Sequence, residues 1–107
     1  MAGSSRPIMQ LLEIIGQRWT LRILWELRDG PMTFRVLRAR CEDVSPTVLN
    51  QRLGTLRDAG FVAKEPEGYA LTPMGLELGH QLLALGDWAK IWAARRDGGN
   101  TPDADQA

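Results

Sequence analysis

One predicted helix of this sequence carries, on its outward face, the side chains best suited to chemistry. Thr47, Asn50 and Gln51 fall at helical spacing within residues 46–59 and share the polar side of that helix. Amides and hydroxyls in this arrangement can hydrogen-bond to base edges in a DNA major groove, and Asn or Gln can bind adenine with two hydrogen bonds. The sequence therefore predicts base contacts by these three residues. The alternative is a solvated polar helix face without a ligand.

Local signals at both ends define this helix. Ser45 is a suitable N-cap, and Pro46 fits the first turn, where an N–H has no helical partner. Gly60 marks the end of the helix. The inward face is an apolar stripe of Leu49, Leu53 and Leu56. Ser45 is also a candidate phosphate contact, with capping alone as the alternative.

The remaining elements follow from hydrophobic periodicity and turn residues. Helices are predicted over residues 7–15, over about 18–28 with Trp19 and Trp25 in the core, from a Thr33 cap to about 40, and from a Thr72 cap to about 96. Short strands at 61–64 and 69–71 flank a turn at 66–68. This order predicts a mainly α winged helix–turn–helix domain with a small two-stranded hairpin as the wing. Residues 1–6 are expected to form a flexible leader, residues 7–96 the domain, and residues 97–107 a disordered tail.

Composition and charge limit the functional classes. The 107 residues carry 13 basic and 13 acidic side chains, a net charge of zero. The balance is uneven: residues 1–61 hold nine Lys and Arg against six Asp and Glu, and residues 62–107 hold four against seven. No stretch approaches the roughly 20 apolar residues of a membrane helix. A single cysteine forms no internal disulfide and favours the cytoplasm.

The inventory of reactive side chains argues against an enzyme. The sequence has one histidine, His80, one cysteine, Cys41, and one tyrosine, without a glycine-rich phosphate loop or metal-ligand spacing. We therefore expect no catalytic residue, no metal and no cofactor. We expect Cys41 to be a quietly buried small residue; the alternative is a reactive thiolate, since nearby Arg38 and Arg40 would lower the pKa of its thiol.

Three segments in order resemble the HxlR-type transcriptional regulators of bacteria and archaea. They are residues 15–21 (IGQRWTL), residues 29–38 (DGPMTFRVLR) and residues 44–60, which contain the fourth helix. The resemblance spans about residues 7–96. It implies a homodimeric DNA-binding repressor or activator, with the fourth helix of each subunit in a major groove and the wing over the adjoining backbone. Half-sites would then lie about one helical turn, ~34 Å, apart.

The sequence departs from the family pattern at three places. Arg6 precedes Pro7, where relatives often carry a cysteine that senses oxidants, so that switch is not expected here. The wing, residues 64–69, is short and holds two acids and one lysine, so its insertion into a minor groove is not expected. Gly54 stands where relatives commonly carry a basic residue, and Arg57 is expected to replace that contact one turn on.

Basic side chains near the fourth helix are the predicted phosphate contacts. Each phosphate neutralised would contribute ~0.9 to the salt dependence of binding. Arg52 flanks the apolar stripe, so it either contacts a phosphate or pairs with an acid inside the fold. For the others, the alternative is an unpartnered surface side chain. The full set, besides Ser45, is Arg18, Arg35, Arg38, Arg52, Arg57 and Lys64.

The last helix has more apolar surface than a small domain covers by itself. Gly75, Gly79 and Gly86 would let another backbone approach it closely. We expect a dimer interface here, together with the first helix, and packing wholly within the subunit is the alternative. The predicted interface residues are Ile8, Leu11, Leu12, Leu78, Leu82, Leu85, Trp88, Ala89 and Trp92.

Together with the polar face of the fourth helix, the resemblance implies a sequence-specific double-stranded DNA-binding regulator, a repressor acting as a homodimer. One alternative is a winged-helix protein-interaction module without DNA binding, which zero net charge and an acidic wing would suit. That module should expose apolar residues on the outer face of the fourth helix. A second alternative is a regulator gated by a small, flat hydrophobic effector in a pocket walled by Trp88 and Trp92 at the dimer seam.

Overall fold

The computed structural model describes residues 6–98, in the element order that the sequence predicts. Residues 1–5 of the expected leader and 99–107 of the expected tail lie outside this range. The elements are α1 (Pro7–Ile15), α2 (Thr20–Glu26) with a 3-10 turn (Leu27–Asp29), α3 (Phe34–Arg40), α4 (Pro46–Asp58), β1 (Val62–Glu65), β2 (Gly68–Leu71) and α5 (Pro73–Gly98). Since α5 runs to Gly98, it continues two residues beyond the predicted end of the domain.

Three helices begin at hydroxyl caps, as their sequences predict. The side-chain oxygens of Thr33, Ser45 and Thr72 each accept a hydrogen bond from the backbone N–H three residues on, at 3.2, 3.3 and 3.0 Å. Each bond satisfies one of the N–H groups that a helix start leaves without a partner. The starts of α3, α4 and α5 are therefore fixed by local chemistry.

The second helix is shorter than predicted. Trp19 precedes it with φ +78°, in the left-handed region, so regular α-helical geometry begins only at Thr20. The core position expected for Trp25 is wrong. This side chain is exposed, and the Arg28 guanidinium lies 3.7 Å from the centre of its ring. A cation over the ring gives Trp25 a partner at the surface.

The core forms around α4. Its stripe of Leu49, Leu53 and Leu56 is buried as predicted. At the far end, Gly60 adopts φ +88°, and the Phe61 N–H donates to the Leu56 carbonyl at 3.0 Å. This arrangement stops a helix and turns the chain sharply into the next element. The other buried side chains come from the neighbouring elements and include Ile23, Leu24, Leu27, Leu37, Val62 and Tyr69.

The wing is a short antiparallel hairpin. Val62 pairs with Leu71 and Glu65 with Gly68, so only two residues form the tip. Met32 and Tyr69 also exchange backbone hydrogen bonds, at 2.9 and 2.7 Å, which the sequence did not predict. This bridge ties β2, close to the tip of the wing, to the segment that leads into α3.

The chain forms two compact units, and the boundary between them falls between Glu77 and Leu78. The sequence indicated no internal boundary. The first unit contains α1 to β2 and the first turn of α5. The described part of the second unit is the helix over residues 78–98. A single helix forms most of its contacts between residues three or four apart, which explains why it separates from the rest.

The first turn of α5 lies close to Phe61, and this contact can be tested. A Cβ at residue 75 would overlap the Phe61 carbonyl oxygen, so we expect Gly75→Ala to lower the free energy of unfolding by about 1–3 kcal/mol. Gly54→Ala is the control, because a Cβ there meets open space. It should raise the free energy of unfolding by roughly 0.5–1 kcal/mol. Urea unfolding followed by circular dichroism measures both, and unchanged stability in Gly75→Ala would contradict the close approach.

Candidate nucleic-acid interface

The turn between α3 and α4 sets the direction of α4, the candidate recognition helix. Glu42 and Asp43 both have positive φ, +59° and +57°, which reverses the chain within a few residues. The Arg38 side chain spans this turn: its Nε donates to the Val44 carbonyl at 2.7 Å and its Nη2 to the Asp43 carbonyl at 3.4 Å. The structure thus gives Arg38 a bonding role inside the fold, whereas the sequence predicted a phosphate contact.

The outer face of α4 presents the three predicted base-reading side chains. Thr47, Asn50 and Gln51 are exposed, and within residues 6–98 their side-chain polar groups have no hydrogen-bond partner. The opposite face of the same helix is buried. Three polar side chains are therefore held on a rigid, capped helix and are free to bind a ligand.

Basic side chains lie beside this face. An open depression of about 530 Å³ between α4 and β1 is lined by Gly54, Arg57 and Lys64, with Asp58 as its acidic member. The Lys64 ammonium lies 5.7 Å from the centre of the Tyr69 ring. Since a Cβ at residue 54 would meet only open space, this part of α4 allows a close approach by a ligand backbone.

Arg52 has a backbone carbonyl as its partner within the fold and not the acidic side chain that the sequence offered as one alternative. Its Nε donates to the backbone carbonyl of Arg18 at 2.8 Å, which links the middle of α4 to the segment between α1 and α2. Its Nη groups have no hydrogen-bond partner within residues 6–98. The Arg18 side chain is exposed, with its guanidinium 5.9 Å from the centre of the Trp19 ring.

A network of charged side chains, which the sequence reasoning missed, connects α2 to the end of α3. Glu26 accepts from Arg22 at 2.8 Å and from Arg40 at 3.5 Å, and Arg22 also reaches Glu42 at 3.4 Å. The Arg22 Nη2 group donates to the Arg40 carbonyl at 2.7 Å. The signal that could have found it is the spacing of Arg22 and Glu26, an opposite-charge pair one helical turn apart.

Cys41 has a protected thiol. The side chain is fully buried, and this burial raises the pKa of the thiol although the Arg22 guanidinium acts to lower it. The two arginines that the sequence placed beside it bond elsewhere, Arg38 to the turn and Arg40 to Glu26. The thiol therefore stays protonated at neutral pH, and the reactive-thiolate interpretation is wrong.

The apolar side chains of α1 lie open to solvent. None of its residues is buried: Ile8 and Leu12 are exposed and Leu11 is half-buried. The expected interface residues on this helix thus have surface available for a partner.

The α5 residues of the expected interface differ in how much of their surface is exposed to solvent. Leu78 is only 9% exposed, so it has almost no side-chain surface to offer a partner, and its place in the expected interface is corrected. Leu82 is half-buried. At Gly75 the backbone of α5 comes so close to the Phe61 carbonyl of the same chain that a side chain would not fit. A Cβ at Gly79 or Gly86 would meet nothing within 4 Å. The exposed members are Leu85, Trp88, Ala89 and Trp92.

The part of the chain that the structure describes offers few other side chains suited to catalysis or metal binding. His80 is exposed on α5. Residues 6–98 hold no group of three or more His, Cys, Asp or Glu side chains placed to bind a metal ion. Over the same residues, every helix is too short or too polar to span a bilayer.

The capped recognition helix, the preceding tight turn and the following two-stranded wing define a winged helix–turn–helix DNA-binding domain. The family described as HxlR-like helix-turn-helix matches residues 14–97, and the chain belongs to this family. The protein is therefore a helix–turn–helix transcriptional regulator and not an enzyme.

Individual relatives agree with this assignment. The HTH-type transcriptional regulator YtfH of Escherichia coli is 33% identical over 92 residues, which cover 79% of this chain and 73% of YtfH. The quinone-bound YodB structure from B. subtilis superimposes with a TM-score of 0.75 at 26% identity, covering 78% of this chain and 96% of that one. A Thermoplasma volcanium structure, described as a possible HxlR family transcriptional factor, gives a TM-score of 0.71 at 26% identity, covering 82% and 85%.

Burial of Cys41 predicts slow thiol chemistry. In the folded protein at neutral pH, an aromatic disulfide reagent should react more than about tenfold more slowly than in urea-unfolded protein, because the thiolate is scarce and shielded. Since the pKa of the thiol is raised, the rate should keep increasing with pH beyond the ordinary cysteine value of about 8.5. Absorbance of the released thiol follows the reaction. Rapid labelling of the folded protein at neutral pH would contradict the burial argument.

Proposed function

We propose that the protein is a sequence-specific double-stranded DNA-binding repressor that acts in the cytoplasm as a homodimer. In this proposal, α4 of each subunit lies in a major groove, and Thr47, Asn50 and Gln51 contact base edges. The observation that carries the proposal is the outer face of α4, where these three polar side chains are exposed and unbonded within the described residues. Family membership supplies the regulatory role.

Phosphate contacts come from the basic side chains that the fold leaves uncommitted. Arg35 and Arg57 are exposed and have neither a carboxylate nor a carbonyl partner within residues 6–98. Arg57 and Lys64 line the depression beside Gly54, a shape and charge suited to one strand of the DNA backbone. Arg18, Ser45 and the Nη groups of Arg52 complete the proposed set.

The docking-module alternative fits the structure less well. A helix that binds a protein groove presents apolar side chains to its partner. The exposed face of α4 instead presents a hydroxyl and two amides. Its apolar residues Leu49, Leu53 and Leu56 are buried and unavailable.

The proposed homodimer rests on exposed apolar side chains on α1 and on α5. Leu83 and Leu85 are 51% and 57% exposed and point to nearly opposite sides of α5. A helix that is apolar around most of its circumference is normally buried. A second copy of the chain would cover this surface, and Ile8 and Leu12 on α1 offer a further exposed apolar area.

A small-molecule effector is a second candidate function, favoured by one neighbour. YodB, which has a similar fold, has been solved with a bound quinone. Trp88 is exposed and available to a flat ligand, whereas the Arg96 guanidinium already lies 4.5 Å from the centre of the Trp92 ring. A flat hydrophobic effector would therefore stack on Trp88 and compete with Arg96 for Trp92.

Base reading can be separated from phosphate binding by substitution on α4. The probes are a duplex selected by the wild-type protein from a random-sequence pool and an unselected duplex of equal length. Gln51→Ala and Asn50→Ala should each weaken binding to the selected duplex by about 1–3 kcal/mol per half-site and leave the unselected duplex nearly unaffected. Arg57→Gln, the comparison variant, should weaken binding to both. Equal losses on both duplexes for Gln51→Ala would remove that residue from base reading.

The dimer can be tested on α5. Leu85→Glu places a charge on the exposed apolar surface and should produce monomers, because a buried unpaired carboxylate costs several kcal/mol. Lys90→Glu is the control, since it introduces the same side chain at a position that is already charged. Sedimentation equilibrium measures the mass of each variant and of the wild type. A Leu85→Glu protein that remained dimeric would place the interface elsewhere.

A further inference from the structure

Arg38 makes three hydrogen bonds to the two residues that precede the cap of α4. Its Nε donates to the Val44 carbonyl at 2.7 Å, and its Nη2 donates to the Asp43 carbonyl at 3.4 Å. Its own backbone carbonyl accepts the Asp43 N–H at 2.9 Å. Arg38, on α3, is therefore hydrogen-bonded to both of the residues that immediately precede Ser45.

The turn needs such support. Glu42 and Asp43 occupy the left-handed region; this is rare for Glu, and two consecutive residues other than glycine seldom adopt it. Val44 is buried, and Arg38 Nε is the bonded partner of its carbonyl. Without the Arg38 side chain, the Val44 carbonyl would lack this hydrogen bond next to the core. The turn would then lower its free energy by shifting its backbone so that the carbonyl reaches water.

We propose that Arg38 is a positioning residue, which fixes the direction in which the recognition helix leaves the turn and does not bind DNA. This inference rests on the proposed DNA-binding function. The Nε and Nη2 edge of the guanidinium faces the turn and the side chain is half-buried, so Arg38 offers less of its donor fork to a phosphate than an exposed, unbonded arginine does. Arg35, one helical turn earlier on α3, is exposed and unpaired within the described residues and is suited to the phosphate role.

The two roles have different consequences for binding. A phosphate contact adds to affinity for any sequence and makes binding more sensitive to salt. Base contacts depend on the placement of Asn50 and Gln51 to within a fraction of a hydrogen-bond length. Because α4 begins directly after the turn, a relaxed turn displaces these side chains. Loss of Arg38 should therefore reduce discrimination between sequences and leave the salt dependence unchanged.

The experiment compares Arg38→Gln with Arg35→Gln on the selected and unselected duplexes described above. Fluorescence anisotropy gives the dissociation constants from about 50 to 200 mM salt. Arg35→Gln should lower the slope of log K against log salt by about 0.9 per lost contact, or about 1.8 for a dimer, on both duplexes. Arg38→Gln should keep the wild-type slope and reduce the affinity ratio between the duplexes by about tenfold or more.

A conservative variant separates charge from geometry. Arg38→Lys keeps the charge and lacks the planar fork that reaches two carbonyls, so it should lose discrimination as Arg38→Gln does. All variants are assayed below their melting temperatures, and Arg38→Lys carries the test if Arg38→Gln does not fold. A reduced salt slope in Arg38→Gln that lysine restores would overturn the inference and leave the proposed function standing. A wild-type protein that bound neither duplex at low salt would instead overturn the proposed function.

Discussion

Burial of the leucine stripe of α4 is the constraint on which the rest of the structure depends. Leu49, Leu53 and Leu56 lie on one side of a 13-residue helix and are almost completely removed from water. This burial fixes the rotation of the helix about its axis, and it therefore decides that Asn50 and Gln51 face outward. The Ser45 cap and the Gly60 stop fix the length of the helix. A ligand thus meets a surface whose composition is set by packing on the opposite side.

The elements that the sequence predicts best are those fixed by neighbouring residues. Helix caps, the Gly60 stop and the wing turn depend on contacts within a few positions; the sequence placed the three hydroxyl caps and the stop correctly and the turn to within one residue, because Gly68 belongs to β2. The start of α2 was displaced because Trp19 adopts a backbone conformation that propensity does not anticipate in a tryptophan. Likewise, the surface position of Trp25 beside Arg28 follows from tertiary packing and not from its hydrophobicity.

Arginine roles were harder to predict for a physical reason. The sequence suggested phosphates or carboxylates as partners, because those groups carry the opposite charge. The structure pairs Arg38 and Arg52 with backbone carbonyls, which every residue possesses and which leave no trace in the sequence. The Arg52 partner also lies 34 positions away along the chain, beyond the reach of any local pattern.

These internal bonds change how the charge of the domain should be counted. Of the nine basic residues in residues 1–61, Arg22 and Arg40 bond within the charged network, and Arg38 bonds to the turn. The sequence therefore overstates the charge available to a DNA backbone, and the wing adds two acids beside its single lysine. Cations that are paired inside the fold contribute less to non-specific affinity through counterion release than free ones do. In the proposed complex, phosphate contacts are the same for every sequence, so discrimination falls to the amide side chains of α4 and depends on the rigidity of the turn that positions them.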